Sequence, residues 1–182
     1  MDSEPVLTVT DAIITAGAVP AYHFGGDTEY TPASALKSIV ERYPDSPIVA
    51  VHMGGGGASY VEAESLYHEA RLLGLHHPNL HYMFSAKRDT HIESDLITYQ
   101  HAGLPFRRNL HCASDFPYGL PSWNFGGFRA LFKTLENHPE ALDDPRLNDQ
   151  EVVFDEESVA DYLGASLVEL CLNAYDRIGF TS

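Results

Sequence analysis

The feature that most restricts this chain is a rhythm. Short apolar runs of strand length alternate with amphipathic helical stretches four times, at a spacing of roughly thirty residues. The runs are Ala18–Phe24, Pro47–Met53, Asn79–Ser85 and Asn109–Ser114. Strands that recur with a helix between them cannot pair as hairpins; they form right-handed βαβ units and a parallel sheet with both faces covered. The expected class is therefore α/β, either a doubly wound sheet or part of a (β/α)8 barrel. In both folds the ligand meets the carboxyl ends of the strands.

The helices announce themselves by stripes and stops. Pro5–Ala16 carries Val6, Val9 and Ile13 on one stripe and stops at Gly17. Thr31-Pro32 reads as an N-cap with Pro at the first helical position, and Leu36, Ile39, Val40 and Tyr43 follow at helical spacing. Ser59-x-x-Glu62 and Thr90-x-x-Glu93 read as capping boxes, with Gly74 and Gly103 as the corresponding stops. A further helix carries Phe128, Leu131, Phe132 and Leu135. Residues 139–157 then read as a loop with eight carboxylates and one Arg. One last helix is expected over Ser158–Ile178, with Leu163, Leu167, Leu170, Cys171, Ala174 and Ile178 on one side.

Composition narrows the function. Hydrophobic residues are 44% of 182, enough for one sizeable core, so residues 1–182 are expected to form a single domain. Eleven Lys and Arg against 26 Asp and Glu give a net charge of -15, which disfavours nucleic acid and anionic membranes as partners. No run approaches the length of a membrane span, and the first residues are acidic rather than basic. Cys112 and Cys171 cannot make a disulfide framework, so a reduced, cytoplasmic setting is expected.

Four strand ends carry polar residues: His23, His52, Ser85 and Asp115. Taken singly each has a bland reading, as a satisfied core histidine, a helix cap or a turn former. Together, two imidazoles and a carboxylate at the carboxyl ends of parallel strands match the donor set of a hydrolytic zinc, iron or manganese ion. Ser85 receives no chemistry. His81 and His111 lie inside strands, where a core or surface role outweighs ligation. His52 also precedes Gly54–Gly57, which echoes the oxyanion loop of esterases, but no Gly-x-Ser-x-Gly elbow exists to complete that site. The glycines do not supply a dinucleotide fingerprint either; a phosphate cradle at Gly54–Gly57 remains a minor alternative.

The stretch from Val19 to Gly57 resembles the amidohydrolase-related family of metal-dependent hydrolases and decarboxylases. Its residues run as a strand ending in His23, a helix ending near Arg42-Tyr43-Pro44, and a strand ending in His52-x-Gly54-Gly55. The Asn79 strand ending in Ser85 and the Ser114-Asp115-x-Pro117 strand end continue the match in order and spacing. The resemblance implies a TIM-type barrel of which this chain supplies strands five to eight. It implies His23 as a metal ligand, His52 as a ligand or substrate-polarising group, and Asp115 as ligand and proton acceptor. The activity implied is hydrolysis or non-oxidative decarboxylation of a small molecule bearing a carboxylate, amide or ester.

One departure limits that reading. No His-x-His occurs, and no histidine precedes His23, so the family's principal ligand pair is missing along with the first half of a barrel. The metal is therefore expected to bind weakly, with zinc ahead of manganese or iron, and a non-catalytic remnant is the second reading. Half a barrel also leaves open edges and an uncovered inner face. The chain is expected either to pair with a second copy as a homodimer, the favoured route, or to fold helices over that face.

Overall fold

The computed structural model describes residues 1–25, 31–55, 64–85, 89–114, 125–149 and 151–179. Four strands form one sheet: β1 (Ala21–His23), β2 (Ile48–Val51), β3 (Leu80–Phe84) and β4 (Leu110–Cys112). All pairs are parallel and the spatial order is β1-β2-β3-β4, the order of the chain. The molecule is thus an α/β protein with an all-parallel sheet flanked by helices. Parallel pairing follows from the helix that separates each strand from the next: α2 (Ala33–Arg42), α3 (Glu64–His76) and α4 (Asp89–Ala102). No described helix is long and apolar enough to cross a membrane.

The register sorts side chains into two faces, because successive strand residues point opposite ways. Tyr22, Ala50, Tyr82 and Leu110 share one row on the first face, with Ile48, Leu80, Phe84 and Cys112 beside them. This face holds the core, together with Leu36, Ile39, Ala70, Ile92, Leu96, Phe128 and Phe132. Its buried tyrosines keep their hydroxyls satisfied: Tyr82 Oη donates to Ala70 O and Tyr99 Oη to Arg71 O. The second face carries His23, Val51, Met83 and His111 in one row, and Ala21, Val49 and His81 in the next.

Several sequence expectations need correction. α1 (Glu4–Thr15) turns Leu7, Thr10 and Ile14 inward, while Val9 is 59% exposed. Both stripes have helical spacing, and the Thr10 hydroxyl decides between them by meeting Tyr22 Oη. Pro32, not Thr31, is the N-cap of α2, because the Thr31 hydroxyl donates to Gly25 O instead. Gly74 does not stop α3, which runs on to His76. A Cβ there would lie 2.0 Å from Tyr99 Oη and 2.7 Å from Tyr82 Cε2, so Gly74 is where two tyrosines meet the helix backbone. Thr90 lies inside α4, which already starts at Asp89; the Ser59-x-x-Glu62 box falls outside the described residues.

The second half departs further. After α5 (Phe125–Asn137), the acidic segment is anchored rather than loose. A 3-10 turn (Pro139–Ala141) and a short α6 (Pro145–Asn148) lead Leu147, Val152 and Phe154 into the core. The single last helix is two, α7 (Glu156–Tyr162) and α8 (Ala165–Ile178), broken at Gly164 with φ 119°. The break lets the pair wrap β4. Tyr162 stacks on Phe132 in the core, and four residues later Ser166 meets His111 on the opposite face. α7 and α8 therefore lie over the second face of the sheet beside β4.

Candidate functional site

β1 ends at His23 and β2 one residue before His52, so parallel pairing brings the two imidazoles together at one end of the sheet. Their ring centroids are 4.7 Å apart at an interplanar angle of 69°. His23 is exposed and His52 is 9% exposed. The turn that carries His52 is unusual. His52 (φ 76°) and Met53 (φ 51°) both lie in the left-handed region, which costs a residue with a Cβ on the order of 1 kcal/mol or more. Backbone bonds hold the turn from both sides: His52 N to Met83 O, Gly54 N to Phe24 O and Gly55 N to His52 O, at 2.8, 2.8 and 2.9 Å.

β3 contributes Ser85, 1% exposed, whose Oγ lies 2.8 Å from His52 Nδ1. Sequence reasoning left this serine without a role. Its signal was positional: Ser85 follows the last residue of β3 as His52 follows the last of β2. Ser85 thus engages Nδ1 of His52 and fixes the orientation of its ring. Asp115 lies outside the described residues; its neighbour Ser114 lines the cleft next to Ser85. That cleft, about 570 Å3, has apolar walls from Val51, Met83, Cys112, Leu163 and Val168. It is bounded by the strand ends on one side and the α7–α8 junction on the other.

The donor chemistry fits a divalent ion, since imidazoles are borderline ligands suited to zinc, iron or manganese. Among the described residues no three His, Cys, Asp or Glu side chains are grouped to hold one. The phosphate alternative loses ground at Gly54 and Gly55, whose amides already bond Phe24 O and His52 O.

The second histidine pair is built differently. His81 Nδ1 lies 3.3 Å from His111 Nε2, the rings nearly parallel at 4°. Ser166 Oγ donates to Asp161 O, so it accepts from His111 Nδ1, and His111 Nε2 in turn accepts from His81 Nδ1. Burial, first, and the Arg108 guanidinium then hold His81 down to about 4. Burial, His81 and Arg108 hold His111 down to about 3. His111 is fully buried and His81 half-buried beside it. No family model, curated protein or solved structure matches the chain.

Proposed function

We propose that the chain is the strand-five-to-eight portion of a metal-dependent (β/α)8 hydrolase or non-oxidative decarboxylase related to the amidohydrolases. His23, His52 and Asp115 would hold the ion, zinc before manganese or iron. The observation that carries the reading is the meeting of His23 and His52 at adjacent parallel strand ends, with His52 Nδ1 held by Ser85. The strand order supports it. A doubly wound sheet reverses direction at a switch point, whereas the four described strands run in chain order, as consecutive barrel strands do.

A bound divalent ion supplies Lewis acidity, making water a nucleophile near neutral pH and polarising a carbonyl or carboxylate. The remaining roles belong to the chain. Ser85 fixes the ring of His52, which would hold the ion or polarise the substrate carbonyl. Asp115 accepts the proton of the attacking water and returns it to the leaving group. The apolar cleft walls take the body of a small carboxylate, amide or ester and exclude bulk water from it.

The test is turnover of zinc-loaded protein on a panel of such substrates, compared with Asp115→Ala. Loss to background with an unchanged far-ultraviolet circular dichroism spectrum is expected; unaltered turnover contradicts the proposal. A chain that neither turns over nor binds the ion is the non-catalytic remnant. Association with a second copy along the open edge of β1 is the companion proposal. The charge of -15 per chain opposes it, so light scattering should show more dimer as salt rises.

A further inference from the structure

α7 and α8 are fastened over the inner face of the sheet by a buried polar chain that carries no charge. It runs from His81 on β3 to His111 on β4, then to Ser166 on α8 and the Asp161 carbonyl on α7. His111 is fully buried, and Gly164, at φ 119°, forms the joint between the two helices. The charged groups around the pair come from three elements. Arg107 and Arg108 lie in the 3-10 turn Phe106–Asn109, Glu157 and Asp161 on α7, and Glu169 on α8. Arg107 pairs with Glu157 and Asp161, and Arg108 with Asp161 and Glu169. The carboxylates facing the pair are thus already matched by guanidinium groups.

We propose that this histidine chain is an acid-sensitive clasp: protonation of His81 and His111 releases α7–α8 from the inner face of the sheet and opens the wall of the strand-end cleft. Leu163, Gly164, Ala165, Leu167 and Val168 form that wall, so the clasp governs access to the cleft that Ser85, the partner of His52, also lines. The directed chain requires His111 neutral, since it uses one nitrogen as donor and the other as acceptor, while His81 joins it as donor through Nδ1. A second proton on His111 would break the bond from His81, and one on either ring would sit near the Arg108 guanidinium. Released, the imidazoles return to water and take protons near the ordinary value of 6.5, whereas docked they resist until about 4 and about 3. Acid therefore pulls the equilibrium towards release. Between pH 7 and pH 5 each histidine shifts it roughly 25-fold, and the pair roughly 600-fold.

Hydrogen exchange followed by mass spectrometry on the intact chain reads this directly, with rates corrected for the intrinsic effect of pH. Protection over residues 156–178 should fall several hundred-fold between pH 7 and pH 5, while β2, β3 and α3 keep theirs. His81→Gln, which leaves one titrating imidazole, should reduce that fall to roughly 25-fold. His111→Gln should do the same, so either variant that folds suffices. The proposal is overturned by protection that does not change with pH, by loss shared equally with β2 and β3, or by α8 amides unprotected already at pH 7. A fall of wild-type size in a folded single variant also overturns it.

Discussion

Two pairs of histidines sit on neighbouring strands of one sheet and share little beyond residue type. His23 and His52 stand where β1 and β2 end, His52 in a turn strained into the left-handed region. His81 and His111 lie within β3 and β4 under α8, joined in a hydrogen-bonded chain that uses three of their four nitrogens. The same imidazole is thus a candidate ligand at one place in the sheet and a structural crosslink at another, even though His111 shares a row with His23. What separates the roles is the cover. The helix that wraps β4 shields one pair and only borders the other.

Acid should separate the two pairs most. Unfolding returns the buried imidazoles to the ordinary value of 6.5 from about 4 and about 3, so the unfolded chain holds more protons below pH 7. Stability contributed by the neutral pair is whole above 6.5 and is lost as pH falls below it. By pH 5 the loss is at most about 4 kcal/mol. Urea denaturation at pH 7 and pH 5 measures it, and His81→Gln with His111→Gln should flatten the dependence. Flattening by His23→Gln instead would place the buried role at the wrong pair.

Truncation comes next in size. His111→Ala opens a cavity and strands the hydrogen-bonding groups of His81 and Ser166, costing about 3 kcal/mol of folding stability. His23→Ala at an exposed strand end should cost no more than about 0.5 kcal/mol. Equal costs in denaturant melts would erase the distinction between the pairs. Ser85→Ala probes the strand-end pair through its support: zinc affinity should fall 10- to 100-fold, roughly, while the protein stays folded. The smallest effect belongs to the rim of the buried pair. Arg108→Ala breaks contacts to Asp161 and to Glu169, which is 57% exposed, and should cost less than about 1 kcal/mol, less again in high salt.

The parallel α/β architecture was legible in the sequence because strand runs and helical stripes differ in period, and the strand-end positions of His23 and His52 followed from it. What stayed hidden depends on partners remote in the chain. Ser85 gains its role from His52, 33 residues away, and a lone serine after a strand shows nothing of that. Gly74 looked like a helix stop because its two tyrosine neighbours come from β3 and α4. The inward face of α1 was settled by Tyr22, since two stripes of equal spacing competed. In the last helix the apolar side expected at Leu163–Ile178 ignored Gly164. Of that side Leu163, Leu167, Leu170 and Ala174 do turn inward, joined by Ser166, while Cys171 and Ile178 are exposed.

The central claim, that the strand-end pair rather than the buried pair is the ligand site, is tested most directly by calorimetric titration of the chain with zinc at pH 7. One ion per chain should bind, with affinity reduced at least roughly tenfold in His23→Ala and in His52→Ala and unchanged in His81→Gln. Zinc binding lost in His81→Gln but kept in His52→Ala, or no binding to the wild-type chain at all, would contradict the account.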